Sequence, residues 1–124
     1  MRAVNDKAYT YLFDQKCAFN ERFHRFLGRE WLDLRTADVA AFADFIKDRE
    51  DFFAKEVDSF GGQGVSRVFV EEYPDSSALY HQLRGRGQYL VEETIRQHPE
   101  MERLHPGSIN TLRVVTLLTN GEPM

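Results

Sequence analysis

The chain has 124 residues, with 16 Lys and Arg against 20 Asp and Glu, so its formal net charge is −4. This length fits one small domain, and an apolar fraction of 42% is enough to build a hydrophobic core, which excludes wholesale disorder. The mild acidity argues against non-specific nucleic-acid binding, because a phosphate backbone requires a concentrated cationic face.

The first half of the chain is predicted to contain two helices. Apolar residues recur at helical spacing over residues 5–17, and again over residues 39–46 behind a cap at Thr36. Residues 19–34 are aromatic-rich with mixed periodicity, and the interruption at Gly28 favours a loop followed by a short strand.

Two strands joined by a glycine-rich loop are predicted next, over residues 51–57 and 65–72. The loop contains Gly61-Gly62-Gln63-Gly64, and glycines let successive backbone N–H groups converge on an anion. Because a strand follows, the loop fits a flap over phosphates rather than a Walker or Rossmann turn, with Lys55 on the strand that enters it. The alternative is an ordinary hairpin loop, with Lys55 extending from a sheet edge.

The second half of the chain mixes one helix with further strands. A turn at Tyr73-Pro74-Asp75-Ser76 is predicted to cap a short helix that ends at Gly85 and Gly87. A strand over residues 89–95 and a connection with one helical turn over residues 96–108 are predicted to follow. The last predicted elements are a strand over residues 111–119 and a hairpin turn at Asn120-Gly121. The sequence ends at Met124, before a full returning strand, so we expect a fragment of a longer protein. The unpaired edge at residues 112–119 predicts a tendency to aggregate.

The cysteine count and the hydropathy pattern limit the compartment. Cys17 is the single cysteine, which excludes an internal disulfide and a zinc site made of several thiolates, and we interpret it as a small buried apolar residue. No apolar run approaches the roughly 20 residues of a membrane span, and no signal-peptide core follows the first residues. We therefore expect a cytoplasmic protein with no membrane span. No set of His, Cys and carboxylate residues has metal-ligand spacing, so no metal site is predicted within the chain.

Several segments of the sequence occur in an order and spacing typical of one superfamily. They are Phe53-Ala54-Lys55-Glu56-Val57, Gly61-Gly62-Gln63-Gly64-Val65, Tyr89-Leu90-Val91-Glu92-Glu93-Thr94-Ile95 and Ser108-Ile109-Asn110-Thr111-Leu112-Arg113-Val114-Val115-Thr116. They resemble the ATP-grasp superfamily, and most closely its sugar-transfer associated, or alpha-L-glutamate ligase-related, ATP-grasp domains. The most specific part is Gln97-His98-Pro99 followed by Asn110-Thr111-Leu112-Arg113, and the resemblance spans about residues 5–122.

The resemblance implies an α+β fold: the antiparallel lid subdomain of an ATP-grasp, plus the start of its catalytic sheet, truncated at the C-terminus. Residues 1–88 would comprise the first helix and the lid with its glycine flap. Residues 89–124 would begin the catalytic subdomain. One departure from the family pattern is Glu56, which stands where a proline commonly follows the lysine.

The resemblance also assigns residues that bind ATP. It implies that Lys55 touches the α- and β-phosphates, and that Lys7, after Asp6, also reaches ATP. Three groups complete the implied site: a flap of Gly61, Gly62, Gln63, Gly64 and Val65; a hinge at Glu92, Glu93 and Ile95 whose main chain reads adenine; and Gln97 or His98 at the ribose. Without the resemblance, the pattern favours solvated strand-end charges for Glu92 and Glu93 and a loop position for His98.

The implied activity is that of a ligase. The full-length parent would bind Mg-ATP, activate a small-molecule carboxylate as an acylphosphate and expose it to an amine or similar nucleophile, with Arg113 facing the phosphates and the acyl substrate. The family name suggests assembly of cell-surface polysaccharide or peptide. The family's Mg²⁺ ligands would lie beyond Met124, so we expect no catalysis by this chain alone. The alternative is a non-catalytic module that binds a nucleotide or a partner, or an inactive fragment.

Overall fold

The computed structural model describes residues 7–59, 61–115, 118–119 and 122–123. The fold is α+β, and the chain divides into two compact units, Met1–Thr94 and Ile95–Met124. The first unit contains α1 (Tyr11–Asp14), α2 (Lys16–Arg22), α3 (His24–Leu27), β1 (Trp31–Asp33), α4 (Val39–Ile46), β2 (Asp51–Lys55), β3 (Val65–Phe69), α5 (Ser76–Gly85) and β4 (Leu90–Glu93). The second contains α6 (Pro99–Glu102), β5 (Leu118–Thr119) and β6 (Glu122–Pro123). Among the described residues, none of the helices has the length and apolar character that crossing a bilayer requires.

The first unit is built on a four-stranded antiparallel sheet with the strand order β1-β4-β2-β3. In the register of this sheet, Glu92 of β4 lies between Trp31 of β1 and Phe53 of β2, while Lys55 lies opposite Leu90. Because side chains alternate between the two faces of a strand, Lys55 and Glu92 share one face of the sheet. Val91 and Phe52 lie on the other face.

The main hydrophobic core covers the face that carries Phe52. Helices α4 and α5 pack there, and the Phe42 ring meets the Phe52 ring edge-on, with centroids 5.9 Å apart. Both helices begin at a side-chain cap: Asp38 accepts from Ala41 N at 2.8 Å, and Asp75 accepts from Ser77 N at 2.9 Å. These caps satisfy N–H groups that a helix start leaves without partners.

A smaller core lies on the opposite face, where α2 contributes Cys17. Buried Cys17 packs with Val57 and Leu90, and the half-buried rings of Trp31 and Tyr89 lie against them. The predicted burial of Cys17 is therefore confirmed.

Several predicted elements are confirmed. Strands β2 and β3 flank the glycine loop, although β3 ends at Phe69 and Val70–Glu72, which the sequence predicts as strand, form a 3-10 helix. Helix α5 begins after the Asp75 turn, β4 falls within the predicted residues 89–95, and α6 is the single helical turn expected in the connection. The second predicted helix is also present, but its cap is Asp38 rather than Thr36.

The N-terminal region differs from the prediction. The expected helix over residues 5–17 is broken, because Gln15 has an extended backbone (φ −109°, ψ 102°) between α1 and α2, and its first two residues lie outside the described part of the chain. The predicted loop after residue 19 is instead helical as far as Leu27. Helix α3 ends at Leu27, and Gly28 follows it with a φ of 62°, the left-handed conformation that glycine accepts without a steric penalty. The short strand expected after it is β1.

The predicted strand over residues 111–119 is present only in part. Residues 111–115 belong to no strand, and residues 116–117 lie outside the described part of the chain. Leu118 and Thr119 pair with Pro123 and Glu122, which is the antiparallel pairing that the predicted hairpin requires.

Candidate anion-binding site

Glu92 is a buried carboxylate with three donors. Its side chain lies on the central strand β4, and the residue is 3% exposed. Glu92 Oε1 accepts a hydrogen bond from Asn20 Nδ2 at 2.8 Å and another from Arg29 Nη2 at 3.1 Å, while Oε2 accepts from the ammonium of Lys55. Burial acts to raise the pKa of Glu92, but the hydrogen bonds from Lys55, Asn20 and Arg29 outweigh it and hold the pKa below its usual range.

The two cations of this cluster approach the carboxylate from different parts of the first unit. Lys55 is the last residue of β2, and Arg29 follows Gly28 in the segment that leads into β1. Their side chains are 25% and 22% exposed, so both reach solvent. Among the described residues, Arg29 Nε is buried and has no hydrogen-bond partner. Lys55, Arg29 and Glu92 together carry a net charge of +1, and this positive charge favours the binding of an anion beside them.

The glycine loop begins directly after Lys55 and returns to the sheet at Val65. Gly61, Gly62 and Gly64 have φ values of 66°, 79° and 64°, which other residues rarely adopt. A Cβ atom at Gly61 or Gly62 would meet no atom of the described residues within 4 Å, so none of them fills the space on that side of the loop tip. Its backbone can therefore approach a ligand closely.

Hydrogen bonds within the loop and from two side chains outside it, those of Lys16 and Gln88, hold its base. Glu56 N donates to Gly64 O at 3.0 Å, and Gln88 Nε2 donates to the same oxygen at 3.2 Å. The ammonium of Lys16, on α2, donates to Ser59 O. Ser59 Oγ in turn donates to Gln63 O at 2.7 Å, which fixes the loop between its two ends.

The structure brings some of the predicted site residues together. Lys55 and Glu92 are in direct contact, and the flap residues Gly61–Val65 adjoin Lys55 along the chain. Glu93 lies on the other face of β4, where its Oε2 accepts from Glu30 N at 3.0 Å. Lys7 is exposed in a 3-10 turn at residues 7–9. Without the resemblance, Glu92 is expected to be a solvated charge. That expectation is wrong, because the residue is 3% exposed, and hydrogen bonds from Lys55, Asn20 and Arg29 compensate its burial.

The remaining predicted residues belong to the second unit. Ile95 and Arg113 are exposed there, and His98 caps α6, with Nδ1 accepting from Glu100 N at 3.3 Å. Gln97 Oε1 accepts from both the backbone N and the Nδ2 of Asn110, each at 3.0 Å. Gln97 and Asn110, from the two halves of the most specific sequence signature, are thus hydrogen-bonded to each other. This contact links the two ends of the connection between them.

Two members of the site, Asn20 and Arg29, were not identified from the sequence. They lie 72 and 63 residues before Glu92, and no local pattern links them to it. The signal for Asn20 in the sequence is that a polar residue stands among the apolar positions of a helix. Buried polar groups need partners, so such a residue marks a place where another polar group is buried too.

The described residues also bear on the expectation that the chain has no metal site. No group of three or more His, Cys, Asp or Glu residues that could hold one occurs in the described ranges.

Comparison of the chain with protein-family models, with curated proteins and with solved structures finds no match. The geometry of the Glu92 cluster and of the glycine loop is therefore the basis for a functional assignment.

Proposed function

We propose that the chain is the ATP-binding part of an ATP-grasp ligase, which activates a carboxylate as an acylphosphate for attack by an amine or similar nucleophile. One observation carries this proposal: Lys55 ends a strand that enters a glycine-rich antiparallel loop, and its ammonium belongs to a cluster with a charge of +1. A triphosphate needs both a cation and converging backbone N–H groups, and here the two adjoin each other.

The proposed roles are those that the ATP-grasp resemblance implies. Lys55 would contact the α- and β-phosphates, and the loop from Gly61 to Val65 would cover them. The main chain at the end of β4 would read the adenine edge, and Arg113 would face the transferred phosphoryl group and the acyl substrate. A guanidinium suits that last role because its planar fork stays charged and binds phosphate or carboxylate oxygens through two parallel hydrogen bonds. Catalysis would come mainly from positioning and electrostatic stabilisation.

The alternative is a non-catalytic module that binds a nucleotide or a partner, or an inactive fragment. The hydrogen bond between Lys55 and Glu92 is consistent with an inactive fragment, because a buried carboxylate that needs a counter-ion explains the position of Lys55 without any ligand.

Thermal unfolding of the 124-residue chain with increasing Mg-ATP tests the proposal. A ligand that binds only the folded state raises its stability by about 2.7 kcal/mol at a hundred times its Kd, so we expect the melting temperature to rise with ligand concentration. Lys55→Ala should abolish the rise, and Lys47→Ala, which removes the same charge from the turn after α4, should retain it.

Two results would contradict the proposal. If millimolar Mg-ATP leaves the melting temperature of the folded wild-type chain unchanged, a partner-binding module or an inactive fragment becomes the better assignment. If Mg-ATP stabilises Lys55→Ala as much as the wild type, the nucleotide binds elsewhere.

A further inference from the structure

We propose that the Glu92 cluster works by exchange of partners: Lys55 leaves Glu92 for a phosphate-bearing anion, and Arg29 takes over the carboxylate oxygen that Lys55 releases. This inference rests on the proposed function, since it places a phosphate ligand at Lys55. It adds Arg29 as a positioning residue, one that makes Lys55 available without contacting the ligand.

The exchange solves an energetic problem at the site. A lysine that is the sole counter-ion of a buried carboxylate cannot leave it cheaply, because the unpaired charge would remain in a medium of low dielectric constant. Any anion that binds Lys55 must therefore compete with Glu92, which is 3% exposed. A second cation on the same carboxylate removes most of that penalty.

The geometry around Arg29 provides such a cation. Its Nη2 already donates to Glu92 Oε1 at 3.1 Å, and Asn20 donates to the same oxygen at 2.8 Å. Its Nε is buried and, within the described ranges, has no acceptor. A guanidinium can offer Nε and Nη2 as parallel donors to both oxygens of one carboxylate. Arg29 thus has a donor to spare for Oε2 when Lys55 leaves.

Lys55 is the cation suited to move. Its ammonium sits on a flexible four-carbon stem, and its side chain is 25% exposed at the end of β2. After the exchange, Arg29 and Glu92 form a neutral pair, and the full charge of Lys55 is available to the anion. The glycine loop that follows Lys55 provides backbone donors beside it.

The experiment is a calorimetric titration of the 124-residue chain with inorganic tripolyphosphate, which carries the phosphates without adenine. Lys55→Gln should weaken binding by about tenfold or more, because a charge-assisted hydrogen bond is lost. Arg29→Gln should weaken it to a similar extent, because Lys55 then becomes the remaining cation on Glu92. Glu92→Gln should strengthen binding, because nothing competes for Lys55.

The decisive variant combines Arg29→Gln with Glu92→Gln. Partner exchange predicts that the double variant binds tripolyphosphate at least as tightly as the wild type. Its Gln at position 92 carries no charge, so Lys55 is free to bind the anion. The matched control is Arg25→Gln, which removes the same charge from an exposed position on α3 and should leave the affinity unchanged.

Three outcomes would overturn the inference. If the double variant binds as weakly as Arg29→Gln alone, Arg29 touches the anion directly. If none of the variants alters binding, the cluster is structural only. If the wild-type chain does not bind tripolyphosphate, no anion site exists at Lys55.

A second measurement needs no variant and therefore does not depend on whether the variants fold. Nitrogen NMR signals of the lysine ammonium groups report their hydrogen-bond partners in the wild-type chain. Tripolyphosphate should shift the signal of Lys55 and leave that of Lys47 in place. A Lys55 signal that stays unchanged at saturation would overturn the exchange.

The same variants titrated with Mg-ATP separate this inference from the proposed function. Tripolyphosphate binding with the expected variant pattern, but without ATP binding, would leave the exchange standing and contradict the ligase assignment. ATP binding that Glu92→Gln does not restore in the Arg29→Gln background would contradict the exchange alone.

Discussion

At Glu92, burial and hydrogen bonding act on the same carboxylate in opposite directions. Removal from water favours the neutral acid, whereas Lys55, Asn20 and Arg29 favour the anion and lower the pKa. Asp33 shows the same balance: burial opposes its ionisation, and hydrogen bonds from Arg35 more than compensate. Both carboxylates therefore link folding to pH.

Acid should narrow the stability difference between the wild type and Glu92→Gln. Because the folded-state pKa of Glu92 is depressed, its contribution is complete above the unfolded pKa of about 4.3 and is lost as the pH falls below it. Urea unfolding from neutral pH down to about pH 3 measures this, with the wild type more stable at neutral pH and the two converging in acid. A pH-independent difference would contradict the linkage. Glu93→Gln, on the other face of β4, is the control.

Cys17 should resist alkylation in the folded chain. Burial is the main cause that raises the pKa of its thiol to about 12, and the negative charge of Asp33 adds to it, so the reactive thiolate is scarce at neutral pH. Iodoacetamide labelling followed by mass spectrometry should be slow in buffer and fast in urea. Equal rates in the two conditions would show that Cys17 is not buried in solution.

At the scale of elements, the glycine loop combines a strained backbone with a crowded base. Gly62 and Gly64 both have positive φ values, but their surroundings differ. A Cβ at Gly62 would enter open space, whereas a Cβ at Gly64 would overlap the side chain of Glu56. The loop therefore offers a pair of positions that separate backbone strain from steric overlap.

Gly64→Ala should destabilise the chain more than Gly62→Ala. Each substitution places a side chain in the left-handed region, at a cost of about 1–2 kcal/mol, and Gly64→Ala also forces the side chain of Glu56 to move aside. Urea unfolding gives both free energies of unfolding. Adding Glu56→Ala to Gly64→Ala should bring the loss close to that of Gly62→Ala. Equal losses for the two single variants would contradict the steric part of this account.

Elements with a strong local signal could be predicted from the sequence, and elements that depend on distant neighbours could not. The hairpin of β2 and β3 was predictable because its strands adjoin a loop rich in glycine, and α5 because Asp75 caps it. The break at Gln15 has no such signal. Thr111–Val115 has high β-propensity, but propensity forms a strand only where another strand pairs with it.

The candidate site was predictable only in part, for the same reason. Lys55 stands out because it precedes the glycine loop along the chain. The role of Glu92 as a buried counter-ion depends on Asn20 and Arg29, which reach it from sequence positions far away. The contact between Asn20 and Glu92 depends on how α2 packs on the sheet. The spacing of these residues in the sequence does not reveal it.

On the scale of the whole molecule, both hydrophobic cores lie within the unit that ends at Thr94. Large apolar side chains are exposed in both units, but in the second unit three of them lie within four consecutive residues. Leu112, Val114 and Val115 are 84%, 81% and 80% exposed. Stability and aggregation tendency should therefore reside in different parts of the chain.

A chain of residues 1–94 should unfold cooperatively and aggregate less than the 124-residue chain. It keeps every residue of the two buried clusters and lacks the exposed apolar segment, which is a template for intermolecular pairing. Urea unfolding and light scattering at increasing concentration measure the two effects. Val114→Lys in the 124-residue chain should also reduce scattering. Equal aggregation of all three chains would place the cause outside this segment.

The strand order β1-β4-β2-β3 has a consequence for the time course of folding. The hairpin of β2 and β3 can close early, because its strands are near neighbours in sequence. Strand β4 leaves the ribosome after all the others in this sheet, yet it lies between β1 and β2. During synthesis, β1 therefore remains unpaired in this sheet, and one edge of β2 remains without hydrogen-bond partners, until residues 90–93 have been synthesised. The arrival of β4 also delivers Glu92, so the sheet and the ion cluster are completed in the same late step.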